Sequence, residues 1–321
     1  MLAAYANSID PADPLNGLVV GDRPAPEPRD GWTTVTVKAA ALNHHDLWTL
    51  RGVGIRPDQL PMILGGDAAG VDEAGNEVVV HSVITAPDWT GDDTLDPKRS
   101  LLSEVYDGTL AEQIIVPRRN LVAKPAALSF EEAACIPTAW LTAYRMLFVK
   151  AQLAPGATVL VQGAGGGVST ASIALGACAG LRVWVTGRSQ AKRDAAITLG
   201  ADQSFEPGAR LPERVDAVID NVGKETWAHS LKSLKPGGVI VTCGATSGPN
   251  PSAELSRVFF LQLRVLGSTM GTRDELERLL GLLETTGLRP QIDSVIPLAD
   301  TAVGLKRLDL GDVQGKIVVT P

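Results

Sequence analysis

The run from Thr158 to Arg193, TVLVQGAGGGVSTASIALGACAGLRVWVTGRSQAKR, holds the most informative chemistry in this 321-residue chain. Gly163-Ala164-Gly165-Gly166-Gly167 places almost no side chain between an apolar run, Thr158 to Gln162, and a small-residue segment that reads as a helix. A bare turn at that point lets a pyrophosphate reach the free N–H groups at the helix start. Gly163, Gly165, Gly166, Gly167 and Val168 are therefore expected to touch a dinucleotide. A second apolar run, Val183 to Thr186, ends in Gly187-Arg188-Ser189, with Lys192 and Arg193 just after it. A carboxylate at the end of that strand would bind both ribose hydroxyls and repel a 2′-phosphate. No carboxylate is present, and cations gather where the phosphate would lie. NADP(H) is thus the expected cofactor, with Arg188 as first contact, then Ser189 and Lys192. Arg193 is expected on the solvent face.

Such a turn works only on a scaffold of alternating strands and helices. Strands are expected at 158–162, 182–187, 203–205, 216–220, 238–243 and 263–268, with helices filling most gaps between them. That alternation gives a parallel sheet covered on both faces. Upstream, short β-like runs such as Thr33 to Lys38, Glu77 to His81 and Glu112 to Val116 are punctuated by Pro, Gly and Asp. They suggest a compact, mostly antiparallel domain. Residues 86–99 have no periodicity and read as a surface loop. Ser129 with Glu132, and Thr272 with Glu275, form capping boxes that open helices. Leu276, Leu279, Leu280 and Leu283 mark the apolar face of the later helix, and Lys316 to Thr320 reads as a closing strand.

The bulk numbers narrow the function classes. Hydrophobic residues make up 45% and charged residues 20%, as in a globular protein with a sizeable core. A net charge of −7, without a basic run, argues against nucleic acid as the main partner. No apolar run approaches the ~18 residues needed to span a bilayer. The first residues lack the basic flank of a secretory signal. Three scattered cysteines, Cys135, Cys178 and Cys243, give neither a disulfide framework nor a four-cysteine zinc knot, and a cytoplasmic location is expected.

Several blocks occur in a telling order: AALNHHDLWTLRG (40–52), LPMILGGDAAG (60–70), DGTLAEQIIVP (107–117), LSFEEAACIPTAWLTAYRML (128–147), the glycine turn, VDAVIDNVG (215–223) and GKIVV (315–319). In this joint spacing the chain resembles the medium-chain dehydrogenase/reductase superfamily over its whole length, and is most similar to the zinc-free quinone oxidoreductase branch. The resemblance implies an α/β protein of two domains. A GroES-like, mostly antiparallel β catalytic domain would comprise 1–125 and 270–321, and a Rossmann domain with a doubly wound parallel sheet 126–269. It also implies a substrate cleft between them and a homodimer or larger homo-oligomer. Zinc enzymes of the superfamily hold their metal with Cys, His and Cys. Those positions here are Asn43, Gly66 and Thr138, so no metal is expected. By the same resemblance, Thr138, Thr142, Asn221, Gly244, Ala245, Thr246, Phe259, Phe260, Leu261 and Lys316 line the cofactor, Lys316 near its phosphates. Two departures stand out: His44 replaces the proline that usually follows the asparagine, and Ser169 replaces a glycine at the end of the turn.

Without a Lewis acid an unactivated alcohol is a poor hydride donor, whereas a quinone or an α,β-unsaturated carbonyl is already a good acceptor. Reduction of such a substrate needs a hydrogen-bond donor at the developing enolate oxygen. Asn43 is expected to offer an amide N–H, and Tyr106 a hydroxyl from a loop. His45 is expected to handle the proton, since imidazole titrates near ~6.5. His44 is the alternative, and Asp46 is expected to order the turn. His81 and His229 read as structural, and Cys135 and Cys243 as small apolar packing. Two other functions remain open: an alcohol or aldehyde dehydrogenase of the same superfamily, and a non-catalytic NADPH-binding sensor or structural protein.

Overall fold

The computed structural model describes residues 1–321, which divide into two compact units. The first comprises Met1–Leu141 with Met270–Pro321, and the second Thr142–Thr269. The expected first boundary, after residue 125, falls short of the helix Phe130–Ala134. That helix packs on the strands Trp32–Ala41 and Asp67–Asp72 and so goes with the first unit.

In the first unit a seven-stranded sheet is built around Trp32–Ala41. This strand pairs antiparallel with Asp67–Asp72, Gln113–Pro117 and Lys316–Thr320. Its Thr33, Val35 and Val37 are buried while Thr36 and Lys38 are exposed, the alternation of a half-buried strand. A register shift between Val37 and Ala39 ends the alternation, and Ala39, Ala40 and Ala41 are all buried. The strand thus carries the chain into the interior just before Asn43. Lys316–Thr320 lies between Trp32–Ala41 and the edge strand Ile292–Pro297, so it is paired on both sides. The LGGD and DGTL blocks interlock: Leu110 N–H donates to Leu64 O at 2.8 Å, and Thr109 Oγ1 to Asp67 O at 2.8 Å. Gly65 (φ +99°) is required there, since a Cβ would lie 2.5 Å from Thr109 Oγ1. Residues 86–99 are more than a surface loop. Asp96 is buried and accepts the Ala86 and Lys98 N–H groups, which folds the segment on itself.

The second unit is a six-stranded, all-parallel sheet. Its order is 203–205, 182–186, 158–162, 215–220, 234–242, 264–267. By chain order this is 3-2-1-4-5-6, the doubly wound arrangement whose switch point lies between 158–162 and 215–220. Val159, Leu160, Val161, Val183, Val185, Val218 and Ile240 are buried, as strands covered on both faces require. Both expected capping boxes close, Ser129 with Glu132 and Thr272 with Glu275. No helix is long and apolar enough to cross a membrane.

Candidate active site and nucleotide-binding turn

In the first unit three neighbouring strands deliver Asn43, Asp67 and Lys316 to one point. Asp67 pairs with Ala41 across the sheet, and Val318 pairs with Ala41 from the other side. Lys316 is 3% exposed. Its ammonium donates to Leu42 O at 2.7 Å, Asn43 Oδ1 at 2.6 Å and Asp67 Oδ2 at 3.0 Å. All three of its N–H bonds are thereby taken, so Lys316 has no donor left for a cofactor phosphate, contrary to expectation. Asn43 needs a second correction. Its amide N–H groups donate to Ala41 O at 3.2 Å and Asp67 Oδ2 at 2.8 Å, leaving none for a substrate carbonyl. Rotating the amide would turn its NH₂ toward the ammonium, so this orientation is fixed by charge.

Asn43 also caps the helix His44–Leu50. Asp46, fully buried, accepts Asn43 N–H at 2.8 Å and Gly65 N–H at 3.0 Å, and so ties this helix to the LGGD turn. Burial pushes its carboxyl up to about 6, against the Asn43 hydrogen bond and the pull of His45 and Lys316. His45 projects the other way. Its Nε2 lies 3.1 Å from Glu104 Oε1 and its Nδ1 3.3 Å from Ser103 Oγ. Burial opposes its charging, but the Glu104 hydrogen bond and the charges of Asp46 and Glu104 win, and its pKa is raised. His44 moves down instead, through burial and the positive charge of Lys316. Tyr106 does not join this group. Its ring packs at a tilt of 57° against Trp32, with centroids 4.9 Å apart, at the start of the strand whose far end leads to Asn43. Thr138 does join its expected neighbour: a Cβ on Gly66 would sit 3.5 Å from Thr138 Oγ1 and 3.6 Å from Ser82 Oγ. The Thr138 hydroxyl has no partner in the fold.

In the second unit the glycine turn follows the strand Thr158–Gln162, and Gly166 caps the helix Gly167–Cys178. Gly163 has φ +93°, a conformation that favours glycine, and a Cβ on Gly166 would meet nothing within 4 Å. The open turn and the helix N-terminus fit a dinucleotide pyrophosphate. Ser169 fits beneath it, its Oγ 3.3 Å from where a Gly163 Cβ would be. A buried network fixes this turn. Thr186 Oγ1 donates to Gln162 Oε1 at 2.7 Å and accepts Gly163 N–H at 3.3 Å. Gln162 Nε2 donates to Ser230 Oγ, which donates to Asp220 Oδ2 at 2.7 Å. Asp220 also accepts the N–H groups of Val222 and Gly223, which shapes the turn at Asn221. That turn meets Gly244-Ala245-Thr246: Thr246 N–H approaches Asn221 O at 3.5 Å, and a Cβ on Gly223 would lie 2.9 Å from Ala245 Cα.

Arg188 is exposed and makes no hydrogen bond or ion pair, while Ser189 caps the next helix by accepting Lys192 N–H. Arg193 is not on the solvent face. It is 9% exposed, with Nη1 donating to Gly187 O at 2.6 Å and Nη2 to Gln190 Oε1 at 2.6 Å. Thr142 is buried in the short helix Leu141–Tyr144. Phe259 and Phe260 are 72% and 80% exposed at the end of the helix Leu255–Phe260, while Leu261 is half-buried against the core. His81 Nε2 bonds Gly271 O, and His229 Nε2 bonds Ala209 O, both holding backbone. Burial pushes the thiols of Cys135 and Cys243 up to about 12.

Sequence reading missed Glu104, Ser103 and the strand-end network of Gln162, Thr186, Asp220 and Ser230, and placed Arg193 on the wrong face. For the network there was a signal: Gln162, Thr186 and Asp220 are each a polar residue closing an apolar run. For Glu104 there was none, since it lies 59 positions from His45.

Residues 29–126 match the family described as alcohol dehydrogenase GroES-like domain, and residues 167–285 the family described as zinc-binding dehydrogenase. An acryloyl-coenzyme A reductase of Metallosphaera sedula is 30% identical over 95% of this chain and 96% of its own. A crystal structure of an NAD-dependent alcohol dehydrogenase is 35% identical, with a TM-score of 0.93 and full coverage of both chains. A 2-octenoyl-CoA carboxylase reductase, solved with NADP and 2-octenoyl-CoA, is 25% identical with a TM-score of 0.92, covering 99% of this chain and 87% of its own. The zinc implied by the second family finds no matching donors here. Asn43, Gly66 and Thr138 offer neither thiolate nor imidazole, and the adjacent carboxylate of Asp67 is bound to an ammonium. No group of three or more His, Cys, Asp or Glu side chains converges anywhere to hold a metal ion.

Replacing Lys316 by Met leaves the Asp67 charge buried and unpaired, and is expected to cost about 3–5 kcal/mol of stability in urea denaturation at pH 7. Adding Asp67→Asn to Lys316→Met should recover most of that loss. A single variant no less stable than the double would refute the pairing.

Proposed function

Because the chain belongs to the medium-chain dehydrogenase/reductase superfamily, we propose that it is an NADPH-dependent reductase of a quinone or an α,β-unsaturated carbonyl, acting without zinc. The observation that carries this reading is the buried ammonium of Lys316 bound to Asp67, beside positions that lack metal-binding side chains. A reaction there relies on an acceptor that is already activated. Relatives named for acryloyl-CoA and 2-octenoyl-CoA support an activated C=C bond as the acceptor.

Bound NADPH supplies a hydride. Addition to the β-carbon moves the π-electrons toward the carbonyl oxygen, and a proton at the α-carbon completes the reduction. Thr138, with its unpartnered hydroxyl, is the proposed donor to that oxygen in place of Asn43. His45 is the proposed proton source, its charged form favoured by Glu104. Arg188, Ser189 and Lys192 are proposed to receive the 2′-phosphate, and the bare turn at 163–168 the pyrophosphate. Thr142, Asn221, Gly244, Ala245 and Thr246 are proposed to border the nicotinamide and its ribose. The 35% identity to an NAD-dependent alcohol dehydrogenase favours a second reading, alcohol oxidation with NAD.

The strand Arg264–Gly267 is an edge of its sheet, next to exposed Leu255, Phe259, Phe260 and Val265. An unpaired edge beside exposed aromatics supports a homodimer formed there with a second copy.

Three tests follow from these proposals. In a panel of quinones, alkenals and cyclic enones, NADPH should be oxidised and simple alcohols left unreacted, with or without added zinc; Arg188→Asp should lower the NADPH over NADH preference at least ~tenfold. Zinc-stimulated alcohol turnover, or a preference indifferent to Arg188→Asp, would count against the reading. If His45 gives the proton, turnover should hold below its raised pKa and fall as the pH rises through it, and His45→Gln should be slow and flat with pH; an unchanged profile in the variant removes His45 from the mechanism. Light scattering should find a dimer that Phe259→Glu with Phe260→Glu converts to monomer, and a monomeric unaltered protein would refute that contact.

A further inference from the structure

We infer that Arg193 is a positioning residue for cofactor selectivity, holding the Gly187–Gln190 turn in the shape that presents Arg188 and Ser189 to a 2′-phosphate. The inference rests on the NADPH reading and adds to it a residue that does not touch the cofactor.

The turn between the strand Arg182–Thr186 and the helix Gln190–Thr198 has few supports of its own. Gly187 N–H reaches Phe205 O at 3.0 Å, and Ser189 caps the helix, but Arg188 is exposed and unheld. Arg193 lies beneath the turn and grips both of its ends. One arm of the guanidinium donates to Gly187 O and the other to Gln190 Oε1, each at 2.6 Å. A planar fork makes two such bonds in a fixed geometry, which an ammonium on a flexible stem does not reproduce. Glu206 Oε1, 3.6 Å from the guanidinium, is on an exposed side chain and adds only a loose counter-charge.

The same residue links this turn to the pyrophosphate turn. A Cβ on Gly187 would lie 3.0 Å from Arg193 Cγ on one side and 2.9 Å from Ala164 Cβ on the other. Ala164 belongs to the glycine turn, so Gly187 is clamped between the stem of Arg193 and the loop proposed to hold the pyrophosphate. Arg193 thus holds Gly187 against the glycine turn. Freed of that clamp, the 187–190 turn must be ordered by the cofactor itself, at a cost in affinity. That cost falls on NADPH, since only NADPH presents a 2′-phosphate to the turn.

The test is a fluorescence titration of NADPH and NADH into the purified full-length protein and its variants. Arg193→Met is expected to raise Kd for NADPH about tenfold and Kd for NADH less than about threefold. Arg193→Lys, which keeps the charge and loses the fork, should show most of the same selective loss. Gln190→Ala alters an exposed residue, removing one of the two grips and a surface hydrogen bond to Asp194, so it guards against a variant that fails to fold; it should shift the ratio in the same direction by about threefold. Equal weakening of both cofactors, full selectivity in Arg193→Lys, or an unchanged ratio in Gln190→Ala would overturn the inference. Arg188→Ala separates the two levels. If it leaves the NADPH preference intact, or the unaltered protein has none, the NADPH reading itself fails. If it abolishes the preference while Arg193→Met and Gln190→Ala preserve it, only the role of Arg193 is lost.

Discussion

One buried positive charge organises the first unit. The ammonium of Lys316, anchored by the last strand, holds the carbonyl of Leu42, the amide of Asn43 and the carboxylate of Asp67 in a single cluster. An ammonium in an apolar interior is tolerable only with such compensation, and a carboxylate there is equally dependent on its cation. Each element of the cluster thus requires the others. The central strand must break its alternation to deliver Asn43, the LGGD turn must place Asp67 opposite Ala41, and the closing strand must return to pair with that central strand. The amide orientation of Asn43, and with it the start of the His44–Leu50 helix, is a consequence.

The nucleotide-binding unit meets a different demand by similar means. Its three central strands, 158–162, 182–186 and 215–220, close in Gln162, Thr186 and Asp220, which lie in register. Joined through Ser230, they turn the ends of the sheet into one hydrogen-bonded platform. The glycine turn, the Asn221 turn and the 187–190 turn all rise from it. A buried polar network that is fully satisfied is rigid, and rigidity suits turns proposed to receive a cofactor whose phosphates are held largely by backbone.

Local signals carried most of what could be read beforehand. The parallel sheet follows from apolar runs at regular spacing, and the two capping boxes from residues three apart. What failed were statements about unused bonding capacity. Asn43 has the right chemistry to donate to a substrate, but its N–H groups go to Ala41 and Asp67, and the lysine that fixes its orientation lies 273 positions away. Arg193 stands one residue from Lys192 and looks equally solvated, yet the helix turns it inward under Gly187. Tyr106 falls beside a telling block but packs against Trp32. Sequence shows which groups a residue carries; only the fold shows which of them are already engaged.

The burial of Cys135 bears on the chemistry in another way. Quinones and enones alkylate thiolates, and a protein proposed to concentrate such electrophiles is exposed to modification by its own substrates. With its thiol buried and pushed up to about 12, Cys135 stays protonated and is a poor nucleophile. Cys178, on the surface, is left as the side chain most open to adduct formation. Low-dielectric packing can thus protect a reductase from self-inactivation, apart from what it contributes to folding.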